Sequence, residues 1–197
     1  QTLDTHDWYQ GTADAVRQNL RHLIRPQWQP REFLVLAGDH LYRMDYRKFV
    51  DRHRDTDADI TIATIPVPQQ EASRFGILQV NSRGWITRFV EKPDNPEDFK
   101  GLVLPSTSAD AGPVCLASMG IYVIRGDVLP KILGENEGAD FGHDIIPASI
   151  DNYKVQSFVY DGYWEDIGTI GAFFEANMAL LETVPKFDFY NEWEPIY

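Results

Sequence analysis

Hydrophobic and polar positions along the chain change period several times, and each change marks an element. Over residues 12–25 (TADAVRQNLRHLIR), Val16, Leu20, Leu23 and Ile24 share one helical face. This predicts an amphipathic helix with Thr12 available as N-cap. Pro26 and Pro30 break the pattern. FLVLA (33–37) follows, five apolar residues without alternation, as expected of a strand buried on both faces. It runs into Gly38-Asp39-His40. Asp45 caps a predicted helix over 46–54, and ADITIATI (58–65) predicts a second strand ending at Pro66. This helix and strand rhythm favours an α/β layer with parallel strands. In such sheets ligands gather beyond the carboxyl ends of the strands, the kind of position Asp39 holds.

FGILQV (75–80) and WITRFVEK (85–92) flank the turn NSRG and read as a hairpin. Alternation along its second strand puts Glu91 with Trp85, Thr87 and Phe89, and Lys92 on the opposite face. Residues 93–113, rich in Pro, Asp, Ser and Gly, read as an irregular excursion. A strand is predicted over ASMGIYVI (117–124), then a short helix at 127–133 and a helical stretch over DIIPASI, with Pro147 in its first turn. VQSFVY (155–160) alternates as a strand. Residues 170–182 predict an amphipathic helix whose apolar set is Phe173, Phe174, Met178 and Leu181. The tail 187–197 is aromatic-rich without a helical period. With no internal repeat and no domain-scale linker, residues 1–197 read as a single domain.

Composition narrows the function classes. The 197 residues are 43% hydrophobic and 24% charged, which argues against disorder over most of the length. Folding can bury roughly 70% of the unfolded surface of a chain this long. The net charge of −12 repels a phosphate backbone and argues against a nucleic-acid partner. A phosphorylated metabolite needs a metal ion or a few placed cations to offset that field. Cys115 is the single cysteine, so no intrachain disulfide forms and a reducing compartment is the simpler reading. No apolar run approaches the ~18 residues of a membrane span. The chain begins at Gln1 with no signal-like stretch, and this start reads as a truncation.

Two constellations carry candidate chemistry. Asp39 follows a predicted strand, and Asp166 lies in YWEDIGT between a strand and a helix. Brought to one sheet edge, the two carboxylates suit Mg²⁺, which takes one or two carboxylates plus substrate phosphates. The competing reading is that each aspartate caps a turn. Glu91-Lys92-Pro93 is the second. Lysine offers a point charge to a phosphate and glutamate accepts hydrogen bonds from sugar hydroxyls, yet neighbours on a strand face apart unless the chain twists there. A solvated edge pair is the alternative. Gly11-Thr12-Ala13 opens a helix and offers backbone N–H groups to a ligand, a weak signal because every helix has an N-terminus. Tyr9, Gly76, Ser118, Tyr122 and Asp140 have no local signature. His40, His53 and His143 lack metal-ligand spacing and read as ordinary surface or supporting residues. No zinc pattern, no G-x-S-x-G elbow and no Walker-type loop occurs.

Taken in order, WYQGTADAVRQ (8–18), LAGDHLYRMDY (36–46), FGILQV (75–80), FVEKP (89–93), ASMGIYV (117–123), DFGHDIIP (140–147) and YWEDIGTIGAFFEAN (163–177) resemble the ADP-glucose pyrophosphorylase (glucose-1-phosphate adenylyltransferase) family. PKFDFYNEWEPIY (185–197) resembles the stretch leading out of that family's catalytic domain. The resemblance implies a Rossmann-like α/β nucleotidyltransferase sheet with flanking helices. It also implies a reaction that joins ATP and α-glucose 1-phosphate into ADP-glucose and pyrophosphate for glycogen or starch. Position by position, it makes Asp39, Lys92 and Asp166 catalytic, with Asp39 and Asp166 holding Mg²⁺ and Lys92 binding the sugar phosphate. Glu91, Ser118 and Asp140 hydrogen-bond the glucosyl hydroxyls, Tyr9, Gly76 and Tyr122 shape that pocket, and Gly11 and Thr12 face the nucleotide.

The chain departs from the family pattern in two places. It lacks the first strand with its basic, Gly-rich triphosphate loop, and it lacks the C-terminal left-handed β-helix. About half of a family member is present, so this piece is expected to be inactive alone. The resemblance implies a homotetrameric or heterotetrameric parent in the cytoplasm, or in the plastid of a plant, with no membrane partner. Two other readings stay open: a UTP- or dTTP-dependent sugar-1-phosphate nucleotidyltransferase, and a non-catalytic regulatory subunit of the same family.

Overall fold

The computed structural model describes residues 8–25, 27–104 and 112–190. A long strand, Val114–Arg125, organises everything else, because its apolar run VCLASMGIYVIR is buried on both faces for most of its length. In chain order the elements are α1 (Thr12–Leu23), β1 (Glu32–Val35), β2 (His40–Tyr42), α2 (Tyr46–Asp55), β3 (Ile60–Pro68), β4 (Gly76–Val80), β5 (Ile86–Glu91), β6 (Val103–Leu104), β7 (Val114–Arg125), α3 (Leu129–Glu135), α4 (Ile146–Ser149), β8 (Val155–Val159), β9 (Trp164–Asp166) and α5 (Ile170–Ala179). A 3-10 turn at Gln69–Arg74 and a π turn at Phe141–Ile145 complete them.

Seven strands form one sheet in the order β5-β4-β7-β3-β8, with β1 and β6 also paired to β7. The mixed α/β architecture expected from the sequence is present, but parallel pairing is confined to β3 with β8. β1 and β3 run in the same direction as one another. They flank β7, which is antiparallel to both and comes later in the sequence. Alternation of helix and strand therefore predicted the layers and not the neighbour inserted between them. On its other edge β7 meets β6 at Val114 and Cys115, β4 at Leu116 and Ala117, and β1 from Tyr122 onward. Opposite β3 the register jumps from Tyr122↔Ile62 to Ser118↔Thr64, so Met119, Gly120 and Ile121 bulge, with Gly120 at φ +66°.

Residue alternation sorts the core onto two faces. Ile60, Ile62, Tyr122 and Ile124 pack with Ala13 of α1, Leu129 of α3 and Ile146 of α4. Ala63, Ile121 and Val123 pack with Phe49 of α2 and with Trp164. Each fully buried Ile or Phe contributes about 1.5–3 kcal/mol.

Several local expectations hold, and several need correction. Asp45 caps α2 through Arg47 N, and the hairpin turns at Asn81, whose Oδ1 accepts from Arg83 N and Trp85 N. Gly11, not Thr12, is the cap residue of α1. β1 is not buried on both faces: Leu34 and Leu36 are more than one-third exposed, since β7 is its single pairing partner among the described residues. β3 does not stop at Pro66 but runs to Pro68. β8 leaves it after Thr64, so both prolines lack an N–H where that edge is open. In α5 the buried residues are Ala172 and Ala176, whereas Phe173, Phe174 and Met178, and Leu181 just beyond it, are exposed. Pro26, residues 105–111 of the irregular excursion and the tail from 191 lie outside the described residues.

Candidate active site

β2 and β9 form a separate two-stranded ladder in which His40 pairs with Asp166 and Tyr42 with Trp164. Asp39 precedes this ladder and Gly168 follows it. The backbone closes the end, with Ile167 N donating to Asp39 O at 3.0 Å. Asp39 Oδ2 and Asp166 Oδ1 lie 2.9 and 3.0 Å from the point where a Cβ on Gly168 would sit, so the two carboxylates converge around a glycine that leaves room for them. Gly168 N donates to Asp166 Oδ1 at 2.9 Å. Two aspartates far apart in the sequence thus meet, as the metal reading required. A turn-capping role is also present in part, through the bond from Gly168.

The strand-parity objection to Glu91 and Lys92 is removed by the backbone. Lys92 leaves β5 with φ +47°, a left-handed conformation that turns its side chain back toward Glu91, and Nζ lies 4.0 Å from Glu91 Oε1. That conformation costs a non-glycine residue about 1–2 kcal/mol. It is held by the Lys92 N–H, which donates to Phe75 O at 3.1 Å. Beside Phe75, Gly76 sits so near the end of β5 that a Cβ on it would fall 2.3 Å from Phe89 Cζ and 2.7 Å from Glu91 Oε2. Burial pushes the Glu91 carboxyl up, against the pull of the Lys92 ammonium.

Asp140 caps the π turn, its Oδ1 accepting from Gly142 N at 2.8 Å and His143 N at 3.0 Å. Gly142 in turn lies against Glu91, with Oε2 only 3.1 Å from where its Cβ would be. Tyr122 meets Phe141 in a tilted ring pair at 5.5 Å, and burial pushes its phenol up. Gly76, Glu91, Ser118, Tyr122 and Asp140 therefore gather in one neighbourhood, Ser118 and Tyr122 from either side of the β7 bulge. Phe75 and Trp164, with centroids 5.2 Å apart, connect this neighbourhood to the Asp39 and Asp166 end.

The start of α1 abuts the same place, but its donors are committed. Ala13 N and Asp14 N both donate to Ala139 O, at 2.8 and 3.0 Å, and Gly11 has Ala139 packed where a Cβ would be. Thr12 Oγ1 donates to Asp140 Oδ2 and accepts from Phe141 N. A free helix N-terminus, read from Gly11-Thr12-Ala13, is thus corrected to one whose first amides bind the chain itself. Tyr9 precedes it, its hydroxyl accepting from Asn19 Nδ2 at 3.0 Å.

Sequence reasoning missed the part played by His40 and Trp164. Trp164 Nε1 donates to His40 Nδ1, and His40 Nε2 lies 3.7 Å from Asp39 Oδ1. The glycine inside the apolar run ASMGIYVI was the available signal, since a strand glycine marks a bulge or a close approach. A cavity of about 600 Å³ lies elsewhere, at the start of β1 and the end of β7, lined by Glu32, His53, Arg54, Arg125 and Asp127 among others. It contains none of the candidate residues.

An α/β sheet that gathers paired carboxylates, a lysine and a polar pocket at the edges of its strands is the framework of a nucleotide-transferring enzyme. The chain belongs to the nucleotidyl transferase family, whose family model matches residues 2–183. All of it aligns, at 46% identity over 208 positions, with the chloroplastic/amyloplastic glucose-1-phosphate adenylyltransferase small subunit of Triticum aestivum. The chain spans 43% of that relative's length. The resemblance read from the motifs is borne out.

Proposed function

We propose that this chain is part of a glucose-1-phosphate adenylyltransferase, forming ADP-glucose and pyrophosphate from ATP and α-glucose 1-phosphate. The observation that carries the reading is the convergence of Asp39 and Asp166 around Gly168. Two carboxylates suit Mg²⁺, which completes its shell with waters and substrate phosphates. When bound, Mg²⁺ neutralises charge on the nucleotide phosphates.

The chain's own residues bind and orient. Lys92 holds the sugar phosphate so that one of its oxygens attacks the α-phosphorus of ATP, the α–β bridging bond breaks, and pyrophosphate leaves. Glu91, Ser118 and Asp140 take the glucosyl hydroxyls, with Tyr9, Gly76 and Tyr122 forming the walls. Gly11 and Thr12 lie on the nucleotide side, ahead of the Ala13 and Asp14 amides that are committed to Ala139. Positioning and charge neutralisation supply most of the acceleration in such a transfer. Residues 1–197 belong to a single, partial catalytic domain that is expected to be inactive without the rest of the protein. The domain operates in a reducing compartment, the plastid if the source is a plant, within a tetrameric parent.

The relative is by name one subunit of its enzyme, and a second reading stays open: a regulatory subunit that binds ligand without turnover. Pyrophosphate release by the gene product that carries this chain, with ATP, UTP or dTTP, glucose 1-phosphate and Mg²⁺, separates the readings. Turnover preferring ATP is expected. Turnover only with UTP or dTTP, or none with any nucleotide, sinks the assignment.

A further inference from the structure

His40 stands beside Asp39 and has no role in the transfer outlined above. Its side chain is 11% exposed, and three contacts, two of them from Trp164, fix it. Trp164 Nε1, which can only donate, gives its proton to Nδ1 at 3.3 Å. The two rings meet edge to face, 5.2 Å apart at 85°. Gly120, at the β7 bulge, comes so close that a Cβ there would lie 3.3 Å from His40 Cε1. An Nδ1 that accepts from an indole carries no proton, so the proton of the neutral ring sits on Nε2. Nε2 is the atom that faces Asp39 Oδ1, at 3.7 Å.

The two aspartates differ in how they are held. Asp166 Oδ1 accepts the Gly168 N–H. The Asp39 carboxylate is 64% exposed, and among the described residues no hydrogen bond and no other ion pair restrains it. At 3.7 Å the His40 contact is electrostatic rather than a hydrogen bond, and it comes from an N–H whose direction is locked. We propose that His40 is a positioning residue, its Nε2–H held in one tautomer by Trp164 and orienting the Asp39 carboxylate toward Asp166. The inference rests on the reading of Asp39 as a metal-holding carboxylate and assigns the side chain that aims it.

Nitrogen NMR of the His40 imidazole and χ1 couplings of Asp39, both on the metal-free chain, test the assignment without any turnover. The Nε2–H tautomer and a single dominant Asp39 rotamer are expected. His40→Phe keeps a packed ring but no donor. It should let Asp39 average over rotamers and weaken Mn²⁺ binding, read by electron paramagnetic resonance, about ten-fold. His40→Gln, which again offers an N–H, should recover most of both. An Nδ1–H tautomer, or an Asp39 rotamer unchanged in His40→Phe, overturns the proposal. If the Phe variant does not fold, the wild-type tautomer and the Gln variant still decide. A wild-type chain that binds no Mn²⁺ sinks the metal reading of the aspartates instead, and the tautomer and rotamer data continue to judge His40.

Discussion

The two ends of the strand pair β1 and β7 treat charge in opposite ways. Where β1 begins and β7 ends, carboxylates and cations close on one another: Arg54 grips Glu32 in a fork at 2.8 and 2.9 Å, and Arg125 reaches Asp59 and Asp127 at 2.6 Å. With Lys131 as a second partner, these contacts drop the Asp127 carboxyl to about 2. Beyond the other end of β1, Asp39 and Asp166 face each other with no Lys or Arg in ion-pair range among the described residues, and Glu91 is pushed up by its own burial. The cavity of about 600 Å³ belongs to the end whose charges are already paired. Carboxylates brought together without a Lys or Arg partner are the better guide to chemistry than volume, because they remain available to something that binds there.

The sharpest way to break that contrast is to remove one charge at each end. Asp39→Asn in the complete gene product should lower kcat roughly a thousand-fold, the scale of losing several kcal/mol of charge stabilisation. The thermal midpoint should stay put, since the carboxylate is largely exposed. Steady-state pyrophosphate release beside a thermal melt checks both halves, and a normal kcat would remove Asp39 from the catalytic set. Arg125→Ala should show the reverse pattern. It strips the well-buried Asp59 carboxylate of its cation, leaving the Lys154 N–H, and should cost about 1–2 kcal/mol in urea unfolding with kcat unaltered. The low end is expected because the arginine is itself 41% exposed.

A subtler comparison concerns Lys92, where the backbone serves the site at its own expense. Lys92→Gly and Lys92→Ala both lack the ammonium, so their difference isolates the left-handed conformation. The glycine variant should be about 1 kcal/mol more stable than the alanine variant in matched urea unfolding. Equal stabilities would mean that the turn relaxes once the amine is gone.

How much of this was readable from the residues follows the range of each signal. The Asp45 cap, the NSRG hairpin and a strand over 117–124 are local or strongly patterned, and all three were legible in the residues. The order of strands was not readable, because nothing near FLVLA or ADITIATI indicates that ASMGIYVI will come between them. The helix at Phe173 and Phe174 shows the same limit: its apolar residues were visible, and the face that the fold buries was not. Asp39 and Asp166 could be named as a pair, while their convergence depends on the β2–β9 register, a long-range fact. Parity argued against placing Glu91 and Lys92 together. It failed because a single residue left the extended region, as sequence rules tend to fail where function stores strain.

The satisfied end also holds the smallest and most specific test, His53. It is 3% exposed, with Nδ1 2.8 Å from Thr61 Oγ1, and it faces Glu32, Asp59, Arg54 and Arg125. Burial is the leading influence and moves its pKa below the ordinary 6.5, the two arginines adding to it and the two carboxylates opposing. The unfolded chain therefore binds the proton more readily than the folded one just below 6.5. Stability is fully present above 6.5 and falls as the pH drops from there toward the depressed folded value. His143 works the other way: Asp144 raises its pKa, so what it contributes is lost as pH rises, and it is common to both proteins in the comparison. Urea midpoints of the wild-type chain and His53→Asn, taken at steps between about pH 5 and pH 7.5, should converge as acid is added, because the variant has no proton to take up. A gap that stays constant over that range would show that His53 takes up its proton equally readily folded and unfolded, so that its burial carries no pH-dependent stability.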